Sequence, residues 1–89
     1  MAKVTMRYWA AAKDAAGVAE QELTADTLAT ALSAAVSMAG AAPGPAGLGA
    51  VLERSSFLID GAPVGRRAAA SVLLRDGNVI EVLPPFAGG

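Results

Sequence analysis

The six residues Pro84-Pro85-Phe86-Ala87-Gly88-Gly89 are the part of this sequence whose composition calls for a chemical explanation. A carboxylate that reacts inside another protein must reach it through a narrow passage. Glycine has no side chain to block that passage and adopts backbone angles closed to other residues. The Gly89 carbonyl also stays open to a nucleophile. Pro84 and Pro85 stiffen the exit from the preceding segment and hold the tail away from the body. Phe86 is suited to anchoring in a partner's pocket. A glycine pair at a given place arises by chance in about half a per cent of chains at a usage of about 7%. Ten glycines in 89 residues raise that figure, so the pair alone does not exclude an ordinary frayed end.

The rest of the chain offers little that could catalyse. There is no cysteine and no histidine. Disulfides, thiolate nucleophiles, iron–sulfur clusters and the usual zinc sites are therefore excluded, as is the commonest general base at neutral pH. Net charge is -1, and Arg66-Arg67 is the one basic pair, so the basic stripe needed to displace counterions from nucleic acid is missing. Glu20 and Glu22, alternating with Gln21, read as a solvated strand face. Glu53-Arg54 and Arg75-Asp76 read as surface charges, and Arg66 and Arg67 as solvent-facing. Met1-Ala2-Lys3 leads straight into an alternating, partly charged stretch, so no targeting segment is expected. The uncharged run between Asp26 and Glu53 is long enough to span a bilayer, but its Gly and Pro residues from Gly40 to Gly49 break it into a helix and a loop.

The elements that must position the tail can be read in order. Lys3 to Trp9 alternates, with Val4, Met6 and Tyr8 on one face and Thr5 and Arg7 on the other, which predicts a half-buried strand. Ala10 to Ala16 predicts a helical turn or two ended by Gly17. A second strand follows from Val18 to about Leu23, antiparallel to the first. The main helix has Thr24, Asp26 and Thr27 as N-cap candidates. Its apolar face is Leu28, Leu32, Ala35, Val36 and Ala39, and Gly40 closes it. Ala42 to Gly49 reads as a loop and Ala50 to Arg54 as one more helical turn. Ser56 to Ile59 is a strand entering an Asp60-Gly61 hairpin, and Pro63 confines the strand around Val64 to a sheet edge. Asp76-Gly77 makes another turn, and Val79 to Leu83 is a final buried strand stopped by Pro84-Pro85. Apolar clusters, including Val72-Leu73-Leu74, suffice for one core and not two. Strands around one main helix define an α+β domain. The β-grasp is the small arrangement that fits this order, with a mixed sheet of four to five strands on one helix. Residues 1–83 form the domain and 84–89 an extended tail.

With these residues in view, the chain resembles the small, sulfur-carrying subunit of molybdopterin synthase, within the ubiquitin-like sulfur carriers. The resemblance rests on the opening strand, the Ala-rich turn to Gly17, the helix from Thr27, the Asp60-Gly61 hairpin, the Asp76-Gly77-Asn78 turn and the Pro-Pro-Phe-Ala-Gly-Gly ending. Its specific part is the last third. Asn78 stands where the family often has aspartate, a change a turn tolerates. The resemblance implies that an ATP-dependent adenylating enzyme activates the Gly89 carboxylate and that sulfur then converts it to a thiocarboxylate. Pro84, Pro85, Phe86, Ala87 and Gly88 would carry it into the large catalytic subunit. There the sulfur would pass to cyclic pyranopterin monophosphate in molybdenum cofactor synthesis. It further implies a cytoplasmic chain that binds no cofactor or metal itself, ATP being used by the activating enzyme, with no nucleic-acid or membrane partner. Three other readings share the tail: a sulfur carrier for thiamine thiazole or cysteine synthesis, a ubiquitin-like protein modifier, and a β-grasp interaction module whose tail is incidental.

Overall fold

The structure is a computed structural model that describes residues 1–39 and 47–85. Strand β1 (Ala2–Tyr8) buries Ala2, Val4, Met6 and Tyr8 and turns the intervening residues outward, as its period of two requires. Helix α1 (Ala10–Ala16) stops at Gly17, whose φ of 79° lets its N–H fold back 2.9 Å onto the Lys13 carbonyl. Strand β2 (Glu20–Ala25) then pairs antiparallel with β1, from Arg7 opposite Glu20 to Ala2 opposite Ala25. It begins two residues later than the sequence suggests. The left-handed cap and the reversal after it consume Val18 and Ala19, and the ladder opens with the Tyr8 N–H on the Ala19 carbonyl.

Helix α2 (Leu28–Ala39) is the main helix. Of its three cap candidates Thr27 serves: its hydroxyl accepts the Thr30 N–H at 3.2 Å. Leu28, Ala31 and Ala35 are buried, whereas Leu32 and Val36 are only half-buried. Gly40 and most of the Ala42 to Gly49 loop lie outside the described residues. The loop's last two positions correct the expectation, because helix α3 (Leu48–Glu53) already starts at Leu48 and ends at Glu53, not Arg54. Leu48, Val51 and Leu52 are buried at helical spacing, and that apolar stripe outweighs the loop-forming composition around Gly47 and Gly49.

Strand β3 (Ser56–Ile59) and the short β4 (Ala62–Pro63) form the predicted hairpin. Asp60 and Gly61 both have positive φ, 51° and 84°, as a two-residue turn matched to strand twist demands. β4 is an edge strand, where Pro63 forfeits no ladder bond to a further strand. Val64 lies beyond it, buried, with its N–H on the Phe57 carbonyl. A short 3-10 turn (Ala69–Ser71) leads into a segment that straps the start of α2: the Leu28 N–H meets the Val72 carbonyl and the Leu74 N–H the Asp26 carbonyl, both at 2.9 Å. Val72 and Leu74 are therefore buried, but Leu73 points away at 77% exposed, which removes it from the expected core.

Strand β5 (Val79–Leu83) completes a mixed sheet of order β2-β1-β5-β3-β4, parallel to β1 and antiparallel to β3. The inward residues Ile80 and Val82 join Met6, Tyr8, Leu28 and Val51 in one core. This is the expected α+β, ubiquitin-like β-grasp architecture. Among the described residues no helix is long and apolar enough to cross a membrane.

Asn78 does more than fill a turn: its Nδ2 donates to Asp60 Oδ2 at 2.6 Å and its Oδ1 accepts the Arg75 N–H at 2.6 Å. An aspartate could not make the first bond and would set two carboxylates together. Asn78→Asp is expected to cost about 1–2 kcal/mol at neutral pH, measured by urea unfolding. Asp60 would raise the introduced carboxyl's pKa in the folded state. The charge penalty is then absent below the unfolded value of about 3.9 and grows as pH rises through the folded value. The gap to wild type should narrow on acidification.

Tyr8 is the chain's only tyrosine. It is buried, its hydroxyl donates to Gln21 Oε1 at 2.8 Å, and burial pushes its pKa up to about 12. The folded value lies above the unfolded value of about 10. Stability should therefore hold up to about pH 10 and fall as pH rises toward 12. Tyrosinate absorbance should appear with unfolding, and Tyr8→Phe should remove that component of the alkaline loss.

Candidate functional site

The site begins where β5 ends. The ladder's last pair there is Ser56 opposite Leu83, after which come half-buried Pro84 and exposed Pro85. Neither proline can donate to a ladder, so pairing stops and the chain leaves the sheet. Phe86, Ala87, Gly88 and Gly89 lie outside the described residues. What the structure establishes is the platform on which the tail is rooted.

Two neighbours define that platform. Because β1 and β5 run parallel with Tyr8 opposite Val82, both strands end at the same end of the sheet. Trp9, directly after β1, therefore stands beside the tail root, 47% exposed. Ala10 follows with φ 49°, a conformation unusual for a residue with a Cβ, as the chain swings from strand into α1. The second neighbour is Glu81, paired with Arg7 on β1 and Leu58 on β3 and so on the sheet face turned away from the core. Its Oε1 accepts the Trp9 indole N–H at 3.3 Å and lies 4.0 Å from an Arg7 guanidinium nitrogen. Arg7 makes its shorter contact, 2.9 Å, with Glu20.

Sequence reasoning missed Trp9 and Glu81. Trp9 left one signal: by alternation it falls with Thr5 and Arg7 on the outer parity, where a large aromatic has no core to fill. Glu81 left none, since its partners are 72 and 74 positions away in the chain. The remaining polar expectations concern surface groups. Glu20 and Glu22 are exposed on β2, and Asp76 accepts the Lys3 N–H. Arg67 donates to the Val64 carbonyl and Arg66 is exposed. Among the described residues no acidic cluster is arranged to hold a metal. A separate apolar cavity of about 380 Å³ lies between α2 and α3, lined by Leu32, Val36, Gly49 and Leu52.

No curated protein matches the chain. Among solved structures, small archaeal modifier protein 1 from Methanosarcina acetivorans is 25% identical, with all of this chain and 98% of that one aligned and a TM-score of 0.80. Small archaeal modifier protein 1 from Haloferax volcanii is 22% identical over 98% of this chain and 99% of that one, with a TM-score of 0.75. A putative molybdopterin converting factor subunit 1 from Pyrococcus furiosus is 20% identical over 97% of this chain and 100% of that one, at 0.69. The model of the ThiS family matches residues 6–89, nearly the whole chain and including the tail. The chain thus belongs to the ThiS family and has the ubiquitin-like β-grasp fold common to sulfur carriers and small protein modifiers.

Proposed function

We propose that the chain is a sulfur carrier whose Gly89 carboxylate is the group that is loaded and unloaded, in the service of molybdopterin synthesis. The family match running through Gly88-Gly89 is the observation that carries the carrier role, and the Pro84-Pro85-Phe86 approach to that pair favours molybdopterin synthesis as the pathway. Residues 1–83 are the domain that holds the root, and residues 84–89 act as the delivery arm. In the first step a Gly89 carboxylate oxygen attacks the α-phosphorus of ATP on an adenylating enzyme, and pyrophosphate leaves. A sulfur nucleophile then displaces AMP, leaving a C-terminal thiocarboxylate. In the second step the arm, Pro84 to Gly88, enters the large catalytic subunit of molybdopterin synthase. Sulfur passes there to cyclic pyranopterin monophosphate, while water restores the carboxylate. The carrier needs no general base, which suits a chain without histidine or cysteine. On this reading the chain needs no cofactor of its own and works in the cytoplasm, the ATP being used by its activating enzyme.

The likeness to the Methanosarcina modifier protein favours one second reading. In it, an activated Gly89 is attacked by a lysine amine to give an isopeptide bond. Both readings share the first step and part at the acceptor. The deciding experiment incubates thiocarboxylated chain with the large subunit and cyclic pyranopterin monophosphate. One molybdopterin for every two thiocarboxylated chains consumed, with recovery of the free carboxylate, supports the carrier. Intact precursor, together with Gly89 found on target lysines in cell extracts, would replace it with the modifier.

A further inference from the structure

On the part of the outer sheet face formed by β5 and β3, apolar side chains surround one carboxylate, Glu81, while Glu20 and Glu22 lie farther out on β2. The strand registers place Val79, Glu81 and Leu83 of β5 beside Arg7 of β1 and Leu58 of β3. The apolar members are half-buried, and Trp9 completes the group at the tail root. Glu81 stands in the middle with its side chain 23% exposed. It is poorly neutralised. The nearest cation, Arg7, is 4.0 Å away and bound more closely to Glu20, so two carboxylates share one guanidinium. Lys13 lines a cleft with Arg7, Trp9 and Glu20 but has no carboxylate within 4.0 Å among the described residues.

Residues 84–89 reach at most about 20 Å when fully extended. An enzyme that encloses Gly89 lies within that distance of the root at Leu83, and a surface seated on the adjoining sheet face covers Glu81. Covering a carboxylate whose one cation is a guanidinium at 4.0 Å, shared with Glu20, is costly, because the hydration of its second oxygen is lost with little in exchange.

We propose that the enzyme which activates Gly89 presents an apolar patch with a guanidinium or ammonium group at its centre, and that this group pairs with Glu81. The inference rests on the carrier reading and adds to it the charge by which the partner is selected. Trp9 acts as a positioning residue, its indole N–H holding one Glu81 oxygen and leaving the other for the partner.

The test is ATP–pyrophosphate exchange by the purified adenylating enzyme of the same source, with the full chain as substrate. Glu81→Gln, which keeps the shape, should raise KM roughly tenfold, and Glu81→Lys roughly a hundredfold, with kcat little changed. Added salt should raise the wild-type KM more steeply than that of Glu81→Gln, a response that a merely structural role would not produce. An unchanged melting temperature for Glu81→Gln separates recognition from folding. If both variants keep the wild-type KM and salt response while the wild type is activated, the pairing is wrong and the carrier reading stands. If the wild type itself supports no exchange, the pairing falls together with that reading.

Discussion

Deleting Gly89 is expected to abolish sulfur transfer completely while leaving the melting temperature within about 1 °C of wild type. The two effects separate because the proposed cycle makes Gly89 a reactant, whereas the core of the described residues is complete without it. The folded body ends its ladder at Leu83, and every buried side chain among the described residues lies before Pro84. An extended end contributes little to stability. Without Gly89 the carboxylate shortens by one residue, about 3.5 Å, and no longer meets the α-phosphorus of a bound nucleotide. Replacing Gly88 with a bulky residue should have the same outcome by blocking the passage. Assays of thiocarboxylate formation and of molybdopterin output on the purified variants check this. A truncated chain that still delivers sulfur would show that the tail is incidental, as a passive interaction module requires.

Leu28→Ala should be the most damaging of the simple truncations in α2, at about 2–5 kcal/mol by urea unfolding. Leu28 is 1% exposed, and its N–H is tied to the Val72 carbonyl at the point where the strap meets the helix. Removing its side chain opens a cavity that Ala31 and Ala35 are too short to fill. Leu32→Ala, one turn along, should cost only about 1–2 kcal/mol, because Leu32 is half-buried and lines the open cavity between α2 and α3. Equal costs would mean that the cavity is closed in solution. For a domain of this size, whose stability is on the order of 5 kcal/mol, the Leu28 substitution approaches complete unfolding.

The elements that were legible in the sequence are those governed by local rules. Alternation located β1 and its inward face, Gly17 ended α1, Asp60-Gly61 marked the hairpin, and Pro84-Pro85 stopped β5. Where a second, distant element decides, the sequence was silent. The start of β2 depends on the register that Tyr8 and Ala19 establish. Leu73 looked like core because it sits between Val72 and Leu74, but the isolated bridge to Thr27 turns it outward. Leu32 followed the helical period, yet α3 packs so as to leave a gap beside it. Asn78 read as an interchangeable turn residue, because its partner Asp60 lies 18 positions earlier. The candidate site divides the same way. Its tail was visible from composition, while the Trp9–Glu81 platform exists only through the parallel pairing of the first and last strands.

Whether Gly89 carries sulfur can be read from the intact mass of the chain. The full chain is incubated with ATP, the adenylating enzyme and a sulfur donor, then weighed and fragmented. The expected result is a gain equal to the exchange of one oxygen for one sulfur, confined to the fragment that ends in Gly89 and absent without ATP. An unchanged mass with a competent activating enzyme, or a gain located elsewhere in the chain, would contradict it.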